Sequence, residues 1–324
     1  MLYFEYVECL LEAEAELRLG WCPPPTRVRL NASGLWASTS VLDHMILGHQ
    51  SQREMRWRVR VVNYAILEMS SSSQSRSYKI RVPATSANIG PGFDVVGLSL
   101  SLYLTLIVTI PDLSSASAGS DRPSISYTGE GADEVPLDAY KNLTTRVALY
   151  VLRCSGAQAF PSGLIIRVHN EIPFGRGLGS SGAAVIAGVL LGDVIGGLGL
   201  PRERMLDFAL MVERHPDNVT AALVGGFVGS YLRELDPSAT QAASVPLSEV
   251  LPEYPPDAGP EWGRDPPQPP RGIGHYVRFG WAKEIRAVAI IPRFELSTAT
   301  AREVLPEAYS RKDVVRTHTT APEV

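Results

Sequence analysis

The sequence contains only three cysteines, Cys9, Cys22 and Cys154, in no metal-binding spacing and in an odd number. A disulfide framework and a zinc site are therefore excluded as organising devices, and a reducing, cytoplasmic compartment is expected. Lysine is scarce as well: Lys79, Lys141, Lys283 and Lys312 are its only occurrences. The net charge is −4 and no block of basic residues occurs, so a nucleic-acid footprint is not expected. No apolar run reaches the roughly 18 residues of a membrane span, so no membrane partner is expected either. The first twenty residues are acidic where a secretory signal would be basic, and the sequon at Asn31 is read as chance.

What is present is a chain of 324 residues, 45% hydrophobic, long enough for one large core or two moderate ones. Residues 1–77 open with a short acidic helix candidate at 5–18, then show no sustained period and end in a serine-rich stretch, so they are read as a disordered extension. Order begins at Tyr78. A strand is expected at 79–82. Leucines at 98, 100, 102, 104 and 106 with Val108 and Ile110 predict a half-buried antiparallel strand. Its opposite face carries Ser99, Ser101, Tyr103, Thr105 and Thr109. Further strands are expected at 124–127, 164–168, 227–232 and 286–291. Helices are expected at 142–152, 183–191, 201–214 and 298–305. The proline-rich stretch 252–274 reads as a surface insertion.

Three segments carry chemistry. Residues 172–185 read IPFGRGLGSSGAAV, glycines and serines between a strand and a buried helix. A helix N-terminus presents unpaired N–H groups and partial positive charge to a phosphate, and glycine lets the backbone approach it. The lysine of a P-loop is absent. Residues 83–94 read PATSANIGPGFD, placing Asn88 and Asp94 across a stiff Gly-Pro-Gly turn. Residues 213–218 read ERHPDN, bringing Glu213, His215, Asp217 and Asn218 together at a helix break set by Pro216. Read singly, Asp94 is a turn former, Asp217 a helix cap and His215 a surface residue.

In this order the three segments resemble the GHMP small-molecule kinases, most closely their homoserine kinase branch in its fungal form. LSTATAREVL at 296–305 is similar to a further segment of that branch. The resemblance runs from Tyr78 to Val315. It implies an α+β, two-domain fold: a ribosomal-protein-like N-terminal domain over 78–235, and a ferredoxin-like substrate-side domain over 236–324. It also implies ATP-dependent phosphorylation of L-homoserine in threonine biosynthesis, with Mg²⁺ as the metal and a homodimer as an allowed assembly.

The residue roles follow from the same resemblance. Pro173, Gly175, Arg176, Gly177, Leu178, Gly179, Ser180, Ser181, Gly182 and Ala183 would wrap the triphosphate, with Asn142 near the adenine. Ser180 or Ser181, with Glu213, would hold Mg²⁺ in place of the absent lysine. Asp94 would meet the homoserine ammonium and Arg302 its carboxylate. Asn88, His215, Asp217 and Asn218 would surround the reacting hydroxyl, with no general base assigned. Residues 1–68 and 316–324 have no counterpart in the resemblance, and its third, glycine-rich motif and a second substrate arginine are absent. The expectation is a true start at Met69, a truncated second domain and an inactive chain. The alternatives are another GHMP kinase, or a truncated nucleotide-binding product without activity.

Overall fold

One strand organises the sheet. In the computed structural model, side chains are described over residues 75–111, 122–234 and 265–282 and at a few positions beyond. Backbone is also described for strands β1 (Glu5–Cys9), β2 (Val28–Arg29), β3 (Trp36–Ala37), β4 (Ala65–Ser71) and β11 (Ala287–Ile291), and for a helical turn, Leu247–Val250. The organising strand, β6, is Val96–Pro111. On one side it pairs antiparallel with β5 (Ser75–Ala87). On the other it pairs with β8 (Ile165–Asn170) along its second half and with β9 (Phe227–Leu232) at its start. β7 (Ser124–Gly129) joins β8 in parallel, and β10 (Gly274–Phe279) closes on β9.

The alternation of β6 is clean from Leu104 to Ile110, where Leu104, Leu106, Val108 and Ile110 are buried. At its start the expected polar face is not open. Ser99 is fully buried, and its hydroxyl donates to the Ala221 carbonyl at 2.7 Å. Between these halves the pairing shifts by two residues: Pro83 faces Tyr103 while Ala84 faces Leu100. β4 is a second departure from expectation. It lies in the segment read as unstructured, yet Ala65–Ser71 pairs antiparallel with β5, Ile66 opposite Ile80. A row of unpaired backbone groups on β5 is a template for such a strand.

Among the described residues four helices complete the layer: α1 (Leu143–Cys154), α2 (Ser180–Gly196), α3 (Arg202–Val212) and α4 (Pro216–Val224). α2 and α4 run against β5 and β6, α1 packs along α2, and α3 touches α2, α4 and β10. α2 is apolar all round because it lies between sheet and α1. A Cβ on Gly188 would lie 2.5 Å from the Thr144 carbonyl, so α1 approaches because that residue is glycine. Ile80, Leu106, Ile186, Leu190 and Leu206 belong to one continuous core.

The sequence offers a helix break at Pro216, with Asp217 as a cap. Pro216 instead occupies the first turn of a new helix, where its missing N–H has no intrahelical partner to lose, and His215 is the capping position rather than Asp217. The proline-rich stretch is partly tied down. The Asp207 carboxylate accepts from the backbone N–H groups of Gly272 and Ile273, and Arg204 donates to the Pro269 carbonyl at 2.7 Å. The helix expected at 298–305 lies outside the described residues.

Candidate active site

Three distant segments converge where α2 and α4 begin. The glycine loop takes left-handed backbone at alternate positions: Gly175, Gly177 and Gly179 have φ of 63°, 72° and 65°. L side chains disfavour that region, which explains the glycines. Ser180 starts α2, so its first N–H groups point out of the helix end that Gly179 caps. A Cβ at Gly177 would meet open space, whereas one at Gly179 would lie 1.9 Å from Thr85 Oγ1. The loop is therefore open at its crest and pressed against the protein at its base.

Thr85, near the end of β5, makes two of the ties. Its backbone N–H donates to the Leu178 carbonyl at 3.0 Å, and its hydroxyl donates to Asn218 Oδ1 at 2.7 Å. Asn218 lies in the first turn of α4, and the Asp217 carboxylate accepts from its backbone N–H at 2.7 Å. The turn after β5 holds Asn88 and Asp94 in left-handed backbone, φ 58° and 56°. Asn88 Oδ1 accepts from the Asp94 backbone N–H at 2.8 Å, which clamps that turn. Two strained non-glycine residues in one turn are held only where surrounding contacts over-determine them.

Electrostatics tie Asp94 to the same place. The Asp217 carboxyl is held above its ordinary 3.8, first by burial and then by the nearby charges of Asp94 and Glu213. The backbone N–H of Asn218 and the His215 side chain oppose that shift. Glu213 sits between two partners: Ser181 Oγ donates to Oε2 at 3.3 Å, and His215 Nδ1 lies 3.2 Å from Oε1. Of the two serines weighed for a metal, Ser181 is the one paired with Glu213.

Other expected site residues fall differently. Asn142 caps α1: its oxygen accepts from Thr145 N at 3.4 Å and its amide donates to the Pro136 carbonyl at 3.1 Å. Both ends of that side chain are committed to local structure, which accounts for it without a nucleotide. Arg302 lies outside the described residues. Thr85 was missed, because a lone threonine has no chemistry that singles it out until its partner 133 positions away is known.

Among the described residues, no cluster of three or more His, Cys, Asp or Glu side chains is arranged to hold a metal. Nor is any described helix long and apolar enough to cross a membrane. The oxygen pair Ser181–Glu213 still fits magnesium, which typically takes one or two protein oxygens and completes its shell with substrate phosphates and water.

A helix N-terminus behind a glycine loop, with the Ser181–Glu213 oxygen pair beside it, is an arrangement suited to binding a phosphate group. A family model for the GHMP kinases N terminal domain matches residues 142–226. The chain is 55% identical over 245 residues to homoserine kinase of Saccharomyces cerevisiae, covering 74% of this chain and 68% of that protein. It is 50% identical over 241 residues to homoserine kinase of Candida albicans, covering 74% and 67%. A solved homoserine kinase from Cytophaga hutchinsonii matches with TM-score 0.50 at 24% identity, covering 77% of this chain and 66% of that one; this bears on the fold alone. The chain belongs to the homoserine kinase family. It spans about two thirds of the length of the curated relatives it matches.

Proposed function

We propose that this chain transfers the γ-phosphoryl group of ATP to the side-chain hydroxyl of L-homoserine, giving O-phospho-L-homoserine and ADP. The new bond joins the hydroxyl oxygen to the γ-phosphorus, and the bond to the β–γ bridging oxygen breaks. The reaction belongs to threonine biosynthesis in the cytoplasm. Residues 78–235 form the ATP-binding part and 236–324 the substrate-side part.

The observation that carries this reading is the Ser181–Glu213 pair at the N-terminus of α2, opposite Asp94, Asp217 and Asn218. The loop from Pro173 to Ala183 offers main-chain N–H groups to the triphosphate, with Arg176 adding positive charge. Ser181 and Glu213 would hold Mg²⁺, which supplies neutralisation of charge on the phosphate oxygens. Phosphoryl transfer relies on positioning and electrostatics more than on covalent help, so the missing lysine is no obstacle. Asp94 is suited to the ammonium group. Arg302 is suited to the carboxylate as a two-pronged donor.

The test is a coupled ADP-release assay on the full chain with ATP and Mg²⁺, with L-homoserine, mevalonate or no acceptor. Release that depends on L-homoserine and exceeds that with mevalonate is expected. Equal or faster turnover of mevalonate would remove the amino-acid assignment.

A further inference from the structure

We infer that Thr85 is a positioning residue that fixes the Asn218 side chain as a hydrogen-bond donor towards the reacting groups. The inference deepens the phosphotransfer reading above and rests on it for its kinetic part.

The argument starts from hydrogen-bonding capacity. A carboxamide has one acceptor end and one donor end, and its two orientations are told apart by their neighbours. At Asn218 both ends have a neighbour. The Thr85 hydroxyl donates to Oδ1 at 2.7 Å, and Nδ2 donates to Asp217 Oδ1 at 3.3 Å. Reversing the amide would bring its oxygen against the Asp217 oxygen, which already accepts the Asn218 backbone N–H. Two acceptors would then face each other beside a fully buried residue, where unmatched polar contacts are most costly. The orientation is thus locked from both sides. Asn218 keeps one amide hydrogen beyond its bond to Asp217, and that hydrogen can be given to a substrate oxygen.

Thr85 is fully buried and its hydroxyl has few alternatives. The same oxygen stands where a Cβ on Gly179 would be, and the Thr85 backbone N–H holds Leu178. One residue therefore sets the distance between the glycine loop and the Asn218 amide. A donor at Asn218 can bind the lone pair of the acceptor hydroxyl or an oxygen of the transferring group. It cannot take the hydroxyl proton, so Asn218 does not serve as the base.

The test compares the wild type with Thr85→Val, which keeps shape and loses the hydroxyl, and Thr85→Ser, which restores it. Thr85→Val is expected to lower kcat for L-homoserine on the order of 10- to 100-fold with KM for ATP little changed, since small displacements of a positioning group have effects of that size. Thr85→Ser should recover most of the loss. In an Asn218→Ala background, Thr85→Val should add little further loss. A readout independent of turnover is the side-chain amide pair of Asn218 in asparagine-selective ¹⁵N spectra, assigned through Asn218→Ala. That pair should shift or broaden in Thr85→Val while other asparagine amides stay in place. If Thr85→Val does not fold, Thr85→Ala carries the same expectations. An unchanged Asn218 amide pair together with kcat within twofold of wild type would overturn the inference. The wild-type assay with and without L-homoserine decides the phosphotransfer reading separately, because the amide spectrum reports the lock whatever the substrate.

Discussion

The Ser181 hydroxyl and the Glu213 carboxylate meet at 3.3 Å although 32 residues separate them. One is at the first turn of α2 and the other caps the end of α3. Ser181 therefore presents an oxygen at the positive end of a helix dipole, and Glu213 brings full negative charge to it. On its other oxygen Glu213 faces His215 at 3.2 Å, and a carboxylate only accepts, so Nδ1 carries the hydrogen there. The pairing joins the glycine segment to the ERHPDN segment through side chains that a magnesium–phosphate complex would use.

Glu213→Gln should keep the fold and lose Mg²⁺-dependent turnover by about two orders of magnitude or more, the usual effect of removing one charge-stabilising group. Turnover measured against Mg²⁺ concentration is the check. A variant with wild-type kcat and wild-type Mg²⁺ dependence would take Glu213 out of the metal site.

Gly179→Ala should damage the loop for two separate reasons. Its φ of 65° lies in the left-handed region, where a non-glycine residue costs about 1–3 kcal/mol. In addition the new Cβ would lie 1.9 Å from Thr85 Oγ1 and 3.0 Å from Asn218 Oδ1. ATP affinity by titration calorimetry should fall at least about tenfold, in line with roughly 1.4 kcal/mol per decade. Gly177→Ala is the control. It shares the strain at φ 72° but would meet open space, so it should be milder. Equal effects would show that strain alone matters.

How much of this could be read beforehand depended on whether a residue's role is local. The second half of β6 was legible because period two is a local property, and β9 was placed at its observed bounds, Phe227–Leu232. α4 was not, since nine residues containing Asp, Asn and Thr show little helical period, and its proline looked like an ending. β4 was hidden because its place is assigned by the open edge of β5 rather than by its own short sequence, AILEMSS. The site's residue types were visible as three segments, but the contact joining them was not. Thr85 gains its role only from Asn218, Leu178 and Gly179, which the fold brings to it. Asn142 differs from Thr85: its capping role is local and engages both ends of its side chain.

Gly188→Ala tests the packing that fixes α2, and with it the loop. The added methyl would lie 2.5 Å from the Thr144 carbonyl and 2.6 Å from Val147 Cβ, both on α1. A helix-favouring substitution should therefore destabilise, by about 1–3 kcal/mol as overpacking does, against the gain of about 1 kcal/mol that alanine gives over glycine in a free helix. Urea denaturation is the measurement. A stabilised variant would mean that α1 and α2 are not in close contact here.

Asp217 gives a pH dependence whose sign can be worked out. The residue is 1% exposed, and its carboxyl is held above its ordinary 3.8, by burial first and then by Asp94 and Glu213. In the unfolded chain it ionises near 3.8. Across the interval from there to its raised folded value, the folded state binds more protons than the unfolded state. Stability from this group therefore falls as pH rises through that interval and is level above it. Asp217→Asn removes the ionisation and keeps an oxygen for the Asn218 backbone N–H. The stability of the variant relative to wild type should therefore grow as pH is raised through the interval. Urea midpoints for both proteins at steps upward from the ordinary 3.8, until the two curves run level, measure that difference, and contributions common to both cancel. Curves that run parallel across the whole range would mean that the Asp217 carboxyl ionises as it does in the unfolded chain, despite its burial beside two other carboxylates.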